Sequence, residues 1–277
     1  TGAVAGVDGV FQIAAVYKVW APDPQRDIIE PGVTGGLNVL RAAQDAGVRR
    51  VVLTSSCAAI GSDATADKPL TEDDWNDAAT SPYYVAKTRG EREAWKFARE
   101  TGLDLVTINP CAIIGPGFYR HTPSTETFEM LLRGKLPAVP PIAFSFVDVR
   151  DVASAHVLAY ENPAAKGRYI TATAHYAMMD LMKYIKKNID PSVSVPKLEL
   201  PKAVIPIISG LDWLANKVAN MPRQLPKDLA DEMVGKTQIV SSDKIRRELG
   251  WQPLPFEQSM RDTLDWIRQQ FIEKKAA

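Results

Sequence analysis

What this chain lacks narrows its chemistry first. It has two cysteines, Cys57 and Cys111, in 277 residues. That is too few for the disulfide framework of a small secreted domain, and the pair has no metal-ligand spacing. The three histidines, His121, His156 and His175, lie far apart in sequence, which argues against a zinc site. No charge of one sign dominates, because Lys+Arg and Asp+Glu both number 33 and the formal net charge is zero. There is no basic excess to draw the whole surface to nucleic acid or to anionic lipid. The apolar runs are too short to span a bilayer, so no membrane partner is expected. The first residue is Thr1 rather than Met, and no charged segment followed by an apolar one marks a secretory signal. The start therefore reads as a cut in a longer chain.

What is present is ordinary for a folded protein: 45% hydrophobic, 24% charged and 8% aromatic residues. The length suggests one or two domains, and scarce thiols point to a reducing, cytoplasmic setting. Val10 to Ala15 is a short apolar run and reads as a buried strand. Apolar residues at Val33, Leu37, Leu40 and Ala43 have helical spacing, which stops at Gly47. Arg50 to Thr54 reads as a second buried strand. Ser81-Pro82 opens a helix, with Ser81 as N-cap and proline at the first helical position; Gly102 ends it. Leu103 to Ile108 reads as a third strand. A helix is expected over Phe128 to Arg133, another over Val147 to Tyr160, and a strand over Arg168 to Thr171. From His175 onward the pattern is helical and punctuated by prolines. Strands and helices alternating at these spacings indicate a doubly wound parallel sheet of the α/β class, whose strands are buried on both faces and so read as unbroken Val/Ile/Leu runs.

Two local features carry chemistry. Tyr83 and Lys87 are four residues apart near the start of a helix and so share a face. An ammonium group near a phenol, and the helix N-terminus, both favour the phenolate. The expectation is a tyrosine of lowered pKa that serves as general acid or base. Thr54-Ser55-Ser56 stands at the carboxyl end of a buried strand, where open α/β sheets bind ligands. Each feature alone has a plain reading, a surface pair and a turn-forming serine pair.

Together they resemble the extended short-chain dehydrogenase/reductase family. A serine at a strand end is followed 27 residues on by Tyr83-x-x-x-Lys87, and a later strand ends in Asn109-Pro110 and Gly115-Pro116-Gly117. Val10 to Ala15 is similar to that family's fourth-strand motif, Phe146 to Ala153 to its signature near the second lobe, and Leu249-Gly250-Trp251-Gln252-Pro253 to its C-terminal motif. Ala94 to Ala98 and Gly102 to Pro110 are similar to the dihydroflavonol-reductase and cinnamoyl-CoA-reductase branch. So is Pro31; where sugar-nucleotide epimerases and dehydratases usually have Asn-Val-x-Gly-Thr, this chain has Gly32 and Gly36 in place of the Asn and the Thr.

The resemblance implies an NAD(P)H-dependent reductase of an aldehyde or ketone, with NADP or NAD as cofactor. Tyr83 would donate a proton to the substrate oxygen, Lys87 would lower the tyrosine pKa and bind the nicotinamide ribose, and Ser56 would hold the substrate oxygen, with Ser55 as the alternative. Cofactor-binding positions would be Ile13, Ala14, Ala15, Thr54, Ser55, Tyr83, Lys87 and the segment Pro110, Cys111, Ala112 and Ile113. Cys57 and Cys111 would pack near the cofactor rather than act as nucleophiles, and Arg150 and Asp151 would form an interlobe or helix-start device. The implied layout is a Rossmann-like domain over residues 1–117 and about 146–173, and a smaller, mostly helical substrate lobe over residues 118–145 and 174–277. A homodimer stays open.

The family's Gly-rich strand–turn–helix, which holds the pyrophosphate on backbone N–H groups, is not found near Thr1. The expectation is a chain lacking the first βαβ units, with the strand at Val10 left at a sheet edge, weakened cofactor binding, and no residue from which to read NAD against NADP. Two other readings remain: an NAD-dependent sugar-nucleotide epimerase or dehydratase, and a truncated family member without catalysis.

Overall fold

The structure is a computed structural model and describes residues 2–65 and 67–273. The elements follow as β1 (Gly9–Gln12), α1 (Glu30–Asp45), β2 (Arg50–Thr54), α2 (Pro82–Thr101), β3 (Leu105–Pro110), β4 (Ala112–Ile114), α3 (Pro123–Leu132), β5 (Ala138–Val139) and β6 (Ala143–Asp148). Then come α4 (Val149–Glu161), β7 (Gly167–Thr171), β8 (Ala174–Ala177), α5 (Met178–Asn188), β9 (Leu198–Glu199), α6 (Ile205–Ala219), α7 (Lys227–Met233), α8 (Asp243–Leu249) and α9 (Phe256–Ile267).

The main sheet has the order β1-β2-β3-β7, all parallel. Its period-2 alternation serves two cores. Val51, Leu53 and Leu105 pack under α1 and α2 with Leu40, Ala43, Ala94 and Ala98. Val52, Val106 and Ile108 face the other way, onto Ala155 and Ala159 of α4 and Ile245 of α8. Helices on both faces of a parallel sheet make the fold Rossmann-like. A smaller sheet, β4-β6-β8, pairs β4 parallel and β8 antiparallel to β6. Phe128 of α3, Leu181 and Ile185 of α5 and Leu264 of α9 share a core with Ile114 and Phe146 of that sheet.

The first and third strands are shifted from the sequence expectation. Only Gly9 to Gln12 pair with β2, and from Ile13 the chain leaves the sheet. The third strand starts later, at Leu105, and runs on to Pro110. The helix expected from Val147 starts at Val149, because residues 143–148 form β6 and the Asp148 side chain caps α4 by accepting from the Arg150 N–H. Ser81 has the extended backbone of an N-cap but makes no side-chain cap bond, and its buried hydroxyl is unpartnered. Pro82 at the first helical position and Gly102 at φ 74° do bound α2. At the start of α4 the Arg150 guanidinium bridges Asp148 at 2.8 Å and Asp262 of α9 at 2.7 Å. Asp151 accepts the Leu254 N–H through both carboxylate oxygens.

Helices α1 and α2 touch through glycine. A Cβ at Gly90 would lie 3.0 Å from the Gly32 carbonyl oxygen, and one at Gly32 would lie 3.0 Å from the Ala86 Cβ. Glycine is required there for close helix approach. Gly90→Val pushes the helices apart and is expected to cost about 1–3 kcal/mol of stability. Urea unfolding measures it, and an unchanged midpoint would contradict this packing.

Candidate active site

The site forms at the carboxyl ends of β1, β2 and β3, where a parallel sheet opens its crevice. Beyond β2, Ser56 is extended (φ −164°, ψ 154°) and its hydroxyl accepts the Ala58 N–H at 3.1 Å, capping a short turn over Cys57–Ala59. Helix α2 begins across from this turn. Its first turn brings the Tyr83 phenol close enough to the Ser56 hydroxyl for that hydroxyl to lower the phenol pKa. Tyr17 packs edge-on against the Tyr83 ring at 5.2 Å and Tyr84 does so at 5.8 Å. One turn on, the Lys87 ammonium lies 5.9 Å from the centre of the same ring. Ser56, Tyr83 and Lys87, expected from sequence to act together, are thus brought together.

Beside them is a cleft of about 370 Å³, lined among others by Ala14, Ala15, Gly35, Thr54, Ser55 and Lys87. Lys87 makes no hydrogen bond or ion pair among the described residues, which leaves its three donors for a ligand. The other expected cofactor positions fall around the cleft. Ile13 is 63% exposed and outside its lining. Pro110 and Cys111 are buried, and the Cys111 thiol meets that of Cys57. Ala112 packs on the core of the smaller sheet, and Ile113 is exposed. The Thr54 hydroxyl is turned to His156 Nε2 at 2.6 Å. Because the Val152 carbonyl can only accept, His156 Nδ1 carries the proton and Nε2 accepts from Thr54. Burial lowers the His156 pKa and keeps the ring neutral.

The sequence expectation of a tyrosine with lowered pKa is corrected. Burial pushes the Tyr83 phenol well up, and the Ser56 hydrogen bond offsets this in part. Burial also lowers Lys87, opposed by the Glu91 carboxylate. In this site the tyrosine is held protonated, the form that donates a proton.

Sequence reading missed the polar core under the site. Glu91, two turns beyond Tyr83 and 2% exposed, accepts from Ser55 Oγ at 2.5 Å and Asn109 Nδ2 at 2.8 Å. Arg168 clamps the same carboxylate through Nε at 2.7 Å and Nη2 at 3.3 Å. Ser55 is thereby committed to Glu91, which leaves Ser56 as the serine that faces Tyr83. The available signal was Glu91 continuing the Tyr83–Lys87 face at the next helical step; its partner, 77 residues away, had none.

Residues 2–172 match the NAD dependent epimerase/dehydratase family. A cinnamoyl-CoA reductase of Medicago truncatula is 37% identical over 216 residues, 74% of this chain and 65% of that protein. This chain spans less than two thirds of the length of the curated relatives it matches. Among solved structures, that of gox2253 superimposes with a TM-score of 0.81 at 30% identity, covering 98% of this chain and 81% of the other. Gre2 from Candida albicans in complex with NADPH gives 0.72 at 25% identity, covering 95% and 78%.

Because Tyr83 is raised above the ordinary value of 10.0, the folded chain holds its proton after the unfolded chain has lost it. That difference withdraws stability as pH rises above 10. The phenolate absorbance of the wild type minus that of Tyr83→Phe is expected to stay flat up to about pH 10, the ordinary tyrosine value. A titration step below that pH would contradict the burial argument.

Proposed function

As the chain belongs to the NAD dependent epimerase/dehydratase family, we propose that it is an NAD(P)H-dependent reductase of aldehyde or ketone substrates. The observation that carries this is the Ser56–Tyr83 hydroxyl pair, with Lys87 beside it on a cleft at the strand ends. The residues present fit NADP or NAD: the cleft walls are small (Ala14, Ala15, Gly35, Gly36), and the Lys87 donors are free for the ribose hydroxyls. Ala14, Ala15, Thr54 and Lys87 would hold the cofactor, with Ile13 and the segment Pro110 to Ile113 beyond the cleft lining as further contacts.

When bound, the reduced nicotinamide supplies a hydride to the carbonyl carbon. The Ser56 hydroxyl donates to the substrate oxygen and fixes its position. Tyr83, held protonated by burial, delivers its proton as negative charge grows on that oxygen. The Lys87 ammonium then stabilises the phenolate until solvent returns the proton.

The wall facing Tyr83 is apolar: Tyr17 packs edge-on against it, and Ala58, Val19, Ala79, Tyr84, Leu229 and Met233 form the surrounding cluster. Such a wall suits an aryl or alkyl carbonyl better than a polar sugar nucleotide. This supports the reductase reading over an epimerase or dehydratase. Residues 1–117 with 146–173 would bind cofactor, and 118–145 with 174–277 would bind substrate. Two buried free thiols support a reducing, cytoplasmic setting. No helix among the described residues is long and apolar enough to cross a membrane. A small-molecule substrate is the expected partner, without nucleic acid; a homodimer is compatible with the proposal.

With a panel of aryl and alkyl carbonyls, reduced cofactor is expected to be consumed one for one with product. In a chain with the N-terminal part restored, Tyr83→Phe should lower kcat by roughly 10²–10⁴-fold, the range for general acid catalysis. Lys87→Met should also weaken cofactor binding. Near-normal turnover in Tyr83→Phe would overturn the assignment, and conversion of sugar nucleotides without net cofactor change would favour the epimerase reading.

A further inference from the structure

Under the site, the amide of Asn109 joins the Glu91 carboxylate to the Ser56 backbone. Its Nδ2 lies 2.8 Å from Glu91 Oε2 and 3.2 Å from the Ser56 carbonyl oxygen, so its two hydrogens go one to each. Both partners only accept, which fixes the orientation of the amide. Its Oδ1 in turn stands 3.2 Å from the Thr107 hydroxyl. Glu91 is held by Arg168, whose remaining donors go to the Asp74 carbonyl at 2.6 Å, the Glu72 carbonyl at 2.8 Å and the Ala59 carbonyl at 3.4 Å. The Arg168 guanidinium lies flat on Trp75, 3.7 Å from the ring centre. Ser55, the residue before Ser56, is tied by its side chain to Glu91 and by its N–H to the Ile108 carbonyl at 2.8 Å.

We propose that the Glu91–Arg168 ion pair acts through Asn109 and Ser55 as the positioning device for Ser56, locking the serine backbone on both sides so that its hydroxyl faces Tyr83. The proposal rests on the reductase reading for its catalytic consequence, and on the hydrogen-bond geometry alone for its structural one. A buried ion pair is weak evidence of stability, since an apolar replacement of similar volume does as well. What this pair has that an apolar core would lack is directed hydrogen bonding: Glu91 accepts from Ser55, just beyond β2, and from Asn109, near the end of β3, while Arg168 donates to loop carbonyls. Ser56 and Pro110 are the residues that follow those two donors. Glu91 and Arg168 line no reacting atom, so they are positioning residues. Misplacing a reacting group by about 1 Å costs on the order of 10²-fold in rate.

The test is Asn109→Leu, which keeps the shape and leaves Glu91 and Arg168 paired, while cutting the amide's bonds to the Ser56 carbonyl and to Glu91 and its bond from Thr107. Three quantities are measured on a chain that carries the pyrophosphate-binding turn: kcat and KM for a carbonyl substrate, cofactor affinity by fluorescence titration, and hydrogen exchange of the Ala58 amide, which donates to the Ser56 hydroxyl. The expected result is a fall in kcat of about 10-fold or more, cofactor affinity within about 2-fold of wild type, and faster Ala58 exchange. A merely structural role would lower the melting temperature without this split. Ser55→Ala, which removes one donor from Glu91 and leaves every charge paired, is read by Ala58 exchange alone should Asn109→Leu fail to fold. A folded variant with normal kcat and normal Ala58 protection would overturn the proposal. Wild-type protein that reduces no carbonyl would overturn the reductase reading instead, and Ala58 exchange would then decide the positioning claim by itself.

Discussion

The contact on which the site depends is the ion pair between Glu91 and Arg168, buried where α2 crosses the ends of β2, β3 and β7. A carboxylate taken out of water is costly unless its lone pairs are filled. Here Ser55, Asn109, Arg168, Thr107 and the Trp95 indole surround it. Satisfying that one charge demands that strand ends far apart in sequence meet at a fixed point, and the groups proposed to do chemistry stand on those ends. Arg168 extends the demand outward by holding the carbonyls of the segment after Ser56. Ser56 is therefore gripped from the helix side and from the loop side, while its hydroxyl is left to Tyr83.

Above that polar base the environment turns apolar, and the two halves act on the same proton. Tyr17 and Tyr84 flank Tyr83 edge-on, which buries the phenol and raises its pKa. A tyrosine that keeps its proton at neutral pH is a competent donor to an oxygen that becomes more basic during reduction. The same burial leaves Lys87 with its ammonium on the cleft and no competing hydrogen bond among the described residues. The second sheet and α9 are joined to this arrangement through Arg150, and α4 is joined to the C-terminal region through Asp151 and Trp251.

Sequence showed the elements that follow one physical signal. Arg50–Thr54 is the strand expected from its unbroken β-branched run, and Pro82–Thr101 is bounded by the proline and glycine that predicted it. The Tyr83–Lys87 face was legible from helical spacing, and Ser56 was legible as one of two serines at a strand end. The choice between them was not, because it is set by Glu91, whose partner comes from another strand. Val147 and Asp148 read as the start of a helix because the apolar residues there suit either state; pairing of β6 with β4 and β8 decided it. Ser81 shows the opposite failure, a good cap residue at a cap position whose hydroxyl makes no bond. The contact between Cys57 and Cys111 depends on how two strand ends are brought side by side, and no local pattern encodes it.

The central claim is that this site moves a hydride to a carbonyl carbon and a proton from Tyr83 to its oxygen. The most direct measurement is the fate of the label when the chain is given a ketone and nicotinamide cofactor deuterated at the transferring position. The account predicts one deuterium on the carbinol carbon of each product molecule. Recovery of all the label in the cofactor, with the ketone unchanged or a sugar nucleotide isomerised in its place, would contradict it.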